Sequence, residues 1–413
     1  MIRSLLYPIR GLRAVFRQGM AWLTSPRGVW LGCEPLFRMA GRAGASPPRR
    51  ILVVRLDAMG DVVLTVPLVR ELRRSFPKAW ITWAVSPRVR NLVESCPYID
   101  ELATVDTYSW YERAELPWVR NWKLHREALR VARRFLWPCR FDLAIVPRWD
   151  ADYYHAVFVA YFSGAARRIG YSERVLPHKR ELNRDYDVLL THRLTEGSPK
   201  HEVEHNLDLL PVLGGKVADD RLELWPREED ERFADSLLGT SDRVVALAPG
   251  ASAPKRAWPL DSYLRTGGGL IRDKRTRLLL LGGVSDRDLG ESLRRQLGAS
   301  VVQAAGSTTL RQAAALLKRC SLYVGNDTGL MHVAAAVGKP VVEISCHPSS
   351  SSPFNSNAPQ RFGPWKVPHR VLQPSEPLPP CSEYCQAREP HCITQVTVER
   401  VLKACEDLLR NRE

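Results

Sequence analysis

The stretch Leu322-Tyr323-Val324-Gly325-Asn326-Asp327-Thr328-Gly329-Leu330-Met331-His332-Val333-Ala334-Ala335-Ala336 decides the fold. It starts as a short buried strand and ends as an Ala-rich helix, with the polar turn Gly325–Gly329 between them. A strand, a glycine-bounded loop and a helix in that order make an α/β unit. The helix N-terminus offers free N–H groups and the positive end of the helix dipole, which favour an anion. Asp327 and Thr328 are placed to cap that helix, and Gly329 lets a ligand approach the backbone. His332 can point back into the same site. Spacing alone leaves two readings open: a capped turn with a packed histidine, or an anion-binding loop.

The second half of the chain repeats the pattern. Val244–Leu247 reads as a strand running into a Gly/Pro-rich turn with Ser252, Lys255 and Arg256, and a helix follows from about Asp261. Leu278–Leu281 reads as a buried strand ending in Gly282-Gly283. The turn Gly306–Thr309, with Thr308, precedes another helix, and Pro340–Ile344 is one more strand. Residues 346–380 read as a long loop, and Val398–Arg412 as an amphipathic helix. The turn after Leu247, Gly282-Gly283 and the polar turn Gly325–Gly329 stand at strand carboxyl ends and converge on a diphosphate. There is no G-x-G-x-x-G, and Gly250–Arg256 lacks the second glycine of a P-loop, which argues against a dehydrogenase or a P-loop ATPase.

The first half has the same alternation. Ile51–Val54 is an all-apolar strand leading into Arg55-Leu56-Asp57-Ala58-Met59-Gly60-Asp61 and a helix to about Phe76. Pro67 inside that pattern predicts a regular helix starting near Thr65, which leaves Asp61 on the loop. A loop carboxylate there can deprotonate a hydroxyl or merely start the helix. Trp80–Val85 and Asp142–Val146 read as strands, Val119–Trp137 as a basic amphipathic segment and Ser163–Tyr171 as a basic loop. His201–Leu213 reads as a helix with a solvated start. Residues 214–240 are polar and read as an irregular domain boundary. Two parallel-sheet, doubly wound domains facing a cleft follow from this order.

At 413 residues and 45% apolar content, two globular domains are expected. The net charge of +15 points to an anionic partner. Residues 1–50 hold nine arginines and one acid, Glu34, and so supply +8 of it. Leu5, Leu6, Ile9, Leu12, Val15, Phe16, Trp22 and Leu23 recur at roughly helical spacing around Arg3, Arg10, Arg13 and Arg17, broken by Pro8. That pattern suits a helix lying on an anionic membrane surface; a disordered leader or a transit peptide are the other readings. No apolar run reaches a membrane span. The nine cysteines are odd in number and scattered, so thiols are expected rather than a disulfide framework. Asp150-Ala151-Asp152 has the D-x-D spacing of a metal-binding carboxylate pair but falls in the first half, away from the diphosphate turns. Cys381, Cys385, His391 and Cys392 are weak candidates for a Cys₃His metal site; packed thiols, or a disulfide in an oxidising compartment, are the alternative, and no metal or cofactor is expected for the chemistry.

These motifs resemble glycosyltransferase family 9, the heptosyltransferases of lipopolysaccharide core assembly. The match runs through Arg55–Pro67, Arg167-Arg168-Ile169-Gly170-Tyr171, His201-Glu202-Val203-Glu204-His205-Asn206, Pro249-Gly250-Ala251 with Lys255-Arg256 and Trp258-Pro259, and Asn326-Asp327-Thr328-Gly329 with His332. It covers about residues 51–405. The resemblance implies a GT-B fold: a basic extension (1–50), an acceptor domain (51–225), a nucleotide-sugar domain (240–395) and a C-terminal helix (396–413) packing back on the first domain. It implies inverting, metal-independent transfer from a nucleotide sugar such as ADP-heptose to an anionic glycolipid acceptor, with no nucleic acid partner, at the inner face of the cytoplasmic membrane. Asp61 matches the general base. Ser252, Lys255, Arg256, Asp327, Thr328, Gly329 and His332 match the donor site, with a protonated His332 assisting the leaving group. Gly283 and Thr308 are donor contacts by position. Arg55, Arg88, Arg148 and Arg168 are expected to hold the acceptor. A sugar-nucleotide epimerase of the same fold and a non-enzymatic membrane-binding protein are the competing expectations.

Overall fold

The computed structural model describes residues 18–39, 47–107, 117–239 and 243–410. The basic leader up to residue 17 lies outside them. Two six-stranded sheets form the frame. The first holds β1 (Arg50–Arg55), β2 (Trp80–Val85), β3 (Glu101–Thr104), β4 (Leu143–Val146), β5 (Arg167–Tyr171) and β6 (His192–Leu194), in spatial order 3-2-1-4-5-6. The second holds β7 (Arg243–Ala248), β8 (Thr276–Leu280), β9 (Val301–Gln303), β10 (Leu322–Asn326), β11 (Val341–Ile344) and β12 (His369–Leu372), in order 12-11-10-7-8-9. Both are parallel throughout, and both reverse winding between their first and fourth strands. The crevice of such a sheet opens at the carboxyl ends of those two strands. The carboxyl ends of β1, β4, β7 and β10 lead into the helix turn with Asp61, Arg148, the Gly/Pro-rich turn and Asp327. Helices cover both faces, so β1, β4 and β10 are buried almost end to end. This is the GT-B architecture.

Several expectations change. The helix after β1 runs Met59–Ser75 without a break, so Asp61 sits in its first turn and not on the loop. Pro67 is accommodated inside it. Thr65 Oγ1 donates to Asp61 O at 2.8 Å, and Asn206 Nδ2 donates to Leu64 O at 2.8 Å, supplying bonds to carbonyls of this stretch from side chains. The basic loop at 163–171 ends in β5, because Arg168 spends its charge inside the protein. The polar segment 214–240 contains the helix Glu228–Leu238, which packs on the helix Leu310–Arg319 of the second domain. The loop 346–380 contains the short helix Pro359–Phe362 and the edge strand β12. The C-terminal helix Val398–Arg410 does not return to the first domain: its Val401, Ala404, Cys405 and Leu408 pack with Val245, Leu278, Leu322 and Val342 of the second sheet. Part of the N-terminal extension is folded. The helix Pro26–Met39 sets Val29, Trp30, Cys33 and Phe37 against the first domain, and its Glu34 pairs with Arg168 at 3.0 Å.

Candidate active site

Two helix N-termini meet across the cleft, one from Met59–Ser75 after β1 and one from Gly329–Ala336 after β10. Each offers a glycine to a side chain of the other. A Cβ on Gly60 would lie 2.4 Å from His332 Cδ2, and one on Gly329 would lie 2.4 Å from Met59 Cε. Both glycines are required by close approach rather than by backbone angle. Asn326, fully buried at the end of β10, ties the facing turn down. Its Nδ2 donates to Pro249 O at 2.8 Å and Gly250 O at 3.1 Å, and its Oδ1 accepts from Trp258 N at 3.0 Å.

Asp61 Oδ1 accepts from Arg55 Nη2 at 2.7 Å and from Arg148 Nη1 at 2.9 Å. Asp57, one turn earlier in the chain, lies 3.0 Å from Arg55 Nε and 3.4 Å from Arg148 Nη1. Two carboxyls thus share two guanidiniums. Burial opposes ionisation of both. At Asp61 the charges of Arg148 and Arg55 outweigh it and hold the carboxyl below its ordinary range. At Asp57 burial wins, and the neighbouring Asp61 charge adds to it, so its pKa rises to about 6. Arg55 is fully buried, with Nη1 donating to Pro147 O at 2.7 Å, so it has no surface to offer an acceptor and instead positions Asp61. Asp57 was missed because Arg148 reaches it only through the fold.

On the opposite wall, Arg256 Nη1 donates to Ser252 Oγ at 3.0 Å, and Nη2 donates to Asp327 O at 2.9 Å and Oδ2 at 2.5 Å. Thr328 stands at the N-cap position, but its side chain makes no capping bond. His332 is 4% exposed, and burial lowers its pKa to about 4. Burial thus favours the neutral imidazole, against the protonated role expected of it. A cavity of about 160 Å³ between the domains is lined by Gly60, Asp61, Ser252, Arg256, Asp327, Thr328 and His332. A second, of about 180 Å³, is lined by Ser252, Gly283, Asp286, Thr328 and Gly329. Asp286 had not been singled out. Its carboxylate accepts from Gly283 N at 2.8 Å and fills the space beside the Cα atoms of Gly250 and Gly282. A third, of about 390 Å³, is lined by Lys255, Arg256, His347, Phe354 and Tyr384. Lys255 Nζ donates to Cys385 O at 3.1 Å, so Arg256 and not Lys255 is the cation beside Asp327.

A strap from the second domain closes the cleft. Arg361, fully buried, pairs with Glu202 Oε1 at 2.6 Å and Asp150 Oδ2 at 3.2 Å and lies over the Trp149 ring at 4.5 Å. His201 Nε2 contacts Gly363 O at 3.0 Å, and its ring stacks on Trp365 at 4.4 Å. The helix start at His201 is thus buried, not solvated. Asp150 also accepts from Ala151 N, and Asp152 accepts from Ala156 N and Val157 N, so the D-x-D carboxylates are committed to the protein.

The remaining predicted residues divide. Arg168 is 3% exposed and donates to Leu189 O, Ala165 O and Glu34, so it is a structural arginine outside the cleft. Arg88 is exposed just after β2. Thr308 lines none of these three cavities. Cys381, Cys385, His391 and Cys392 gather with their ligand atoms within 4.8 Å of one another.

The family model of glycosyltransferase family 9 (heptosyltransferase) matches residues 132–390. Lipooligosaccharide heptosyltransferase 2 of Haemophilus ducreyi is 25% identical over 327 residues, covering 75% of this chain and 87% of that protein. A solved glycosyl transferase family 9 structure from Veillonella parvula superposes with a TM-score of 0.69 at 23% identity, over 88% of this chain and 98% of its own. The ADP-heptose LPS heptosyltransferase II of E. coli superposes with a TM-score of 0.64 at 23% identity, over 88% and 99%.

Proposed function

The chain belongs to glycosyltransferase family 9, the heptosyltransferases, and we propose that it transfers a heptose from ADP-heptose to a lipopolysaccharide-core acceptor with inversion at the anomeric carbon. The observation that carries this reading is the shared cavity in which Asp61 faces Arg256, Asp327 and the N-terminus of Gly329–Ala336. In it, a base and an anion-binding wall stand on opposite sides of a space large enough for a reacting sugar carbon.

Asp61 takes the proton of the acceptor hydroxyl as that oxygen attacks the anomeric carbon from the face opposite the diphosphate. Both arginines bond Oδ1, which leaves Oδ2 for the acceptor. The lowered pKa keeps Asp61 ionised. Its basicity matters late, when the attacking oxygen carries positive charge in an oxocarbenium-like transition state. The departing diphosphate gains charge beside Arg256, Ser252 and the free amides at Gly329–Ala336. Neutral His332 offers a hydrogen bond there rather than a charge. Asp286, at the donor end, is placed to accept from the ribose hydroxyls. Of the arginines expected to hold the acceptor, exposed Arg88 and Arg148, which is bonded to Asp61, remain the proposed contacts.

Incubation with ADP-heptose and a heptose-deficient core lipid tests the reading. Transfer by the wild type and its loss in Asp61→Ala are expected; equal transfer by both, or donor breakdown that needs no acceptor, overturns it. We further propose peripheral contact with the cytoplasmic membrane face. No helix among the described residues is long and apolar enough to cross a bilayer. Support comes from exposed Trp22, Leu23, Leu31 and Leu36 on the N-terminal helices, together with Trp122 and Phe135 among the arginines of the segment 119–137.

A further inference from the structure

We propose that Cys381, Cys385, His391 and Cys392 hold a thiophilic divalent cation, with zinc as the expected occupant, in a closed structural site beside the donor cleft. Four ligand atoms, one from each residue, lie within 4.8 Å of one another. Cys381 Sγ is 3.7 Å and Cys392 Sγ 3.5 Å from His391 Nδ1. A tetrahedron built with Zn–S of about 2.3 Å and Zn–N of about 2.0 Å has S···N edges of about 3.5 Å, so these separations already match a filled site. Packed thiols have no reason to converge on a single point together with an imidazole nitrogen. All nine cysteines are free, so a disulfide does not account for the cluster either. Gln386 N donates to Cys381 Sγ at 3.3 Å, the kind of outer bond that orients a metal-bound thiolate.

The chemistry of the donor set selects the ion. Three thiolates and one imidazole suit zinc or ferrous iron and not magnesium or calcium. Four protein ligands leave no open position, so the site is structural and not catalytic. The surroundings need such a clip, because the chain from Leu378 to His391 contains no helix or strand. That segment nevertheless builds part of the cleft. Tyr384 and Cys385 line the cavity of about 390 Å³, and the Cys385 carbonyl holds the Lys255 ammonium at 3.1 Å. A metal bound there fixes the wall against which the donor turn rests. His391 is only partly buried, which gives the ion a way in.

Elemental analysis of the full chain, purified without chelator, reads this directly and does not depend on transfer activity. One equivalent of zinc or iron per chain is expected. Cys385→Ser and Cys392→Ser should retain less than about a tenth of it, while Cys139→Ser retains all of it. His391→Cys should keep the metal, since a thiolate replaces the imidazole, whereas His391→Ala should lose it. Should the serine variants not fold, mercurial titration of wild-type thiols must release the metal in step with their modification. A wild-type chain that carries no metal and takes up neither zinc nor cobalt overturns the proposal. So does unchanged metal content in folded Cys385→Ser and Cys392→Ser.

Discussion

At the level of single residues, the site separates two carboxyls by environment. Asp61 and Asp57 face the same two arginines, yet one is held ionised and the other is raised to about 6. Asp61→Asn should lower kcat by roughly 10²–10⁴ while ADP-heptose still raises the melting temperature, because the base acts on the acceptor and not on donor binding. Loss of the donor-induced shift would place Asp61 in the wrong half of the site. The pH profile tests the second acid. With Asp61 ionised throughout, an inflection near pH 6 in kcat/KM belongs to Asp57 and should vanish in Asp57→Asn; its persistence there would assign it elsewhere. The sequence made one side of this site readable and hid the other. Arg256, Asp327 and His332 stand in two local motifs, each a strand followed by a glycine turn, so spacing alone brought them forward. Arg55 and Arg168 also stood in motifs but were misread as acceptor contacts. Burial decides the role of an arginine, and Arg168 reaches Glu34 across 134 positions of chain. A protonated His332 is likewise disfavoured by its burial.

Between elements, the decisive contact is the meeting of two helix N-termini. Strand-to-helix order predicted both helices, but nothing local showed that Gly60 and Gly329 serve each other's domain. Their spare volume is filled by His332 and Met59. Gly60→Ala must displace a buried imidazole and should cut kcat/KM at least tenfold. Gly329→Ala meets the flexible end of Met59 as well as its Cβ at 3.0 Å, so its effect should be milder and partly relieved by Met59→Ala. Equal losses in both alanine variants, without relief, would mean that the domains do not close to this contact in turnover. The strap is a second example, read from sequence only as a long loop. Arg361→Ala leaves Glu202 and Asp150 buried without their cation and should cost about 3–5 kcal/mol in denaturant unfolding. Adding Glu202→Gln should recover part of that loss; full additivity would show that the pair does not interact. Pro67 misled in the other direction, since a helix walled in by tertiary contacts tolerates a proline that an isolated helix does not.

Across the whole molecule, buried histidines set the response to acid, and their sign is uniform. His332 and His205 have folded pKa values of about 4, below the ordinary 6.5, and His125, His201 and His347 are lowered too, all by burial first. A base with a depressed folded pKa contributes full stability above its unfolded value and loses it as pH falls from about 6.5 towards 4. Each of the two most shifted rings is worth about 3 kcal/mol over that window. Asp57 acts oppositely, because its raised pKa makes the fold more stable as pH drops from about 6 to 4, by a similar amount. Glu173 and Glu343, also raised by burial, act with Asp57, and five lowered histidines outnumber these three carboxyls, so the melting temperature should fall below pH 6.5. His201 and His332 lie where the domains touch, so the cleft should loosen before either sheet unfolds. His332→Gln, which cannot take up the proton, should flatten the slope, measured as melting temperature between pH 7 and pH 4.5. A steeper slope in Asp57→Asn is the companion result, since it removes one of the opposing carboxyls. If His332→Gln leaves the slope unchanged, the acid sensitivity resides within the domains and not between them.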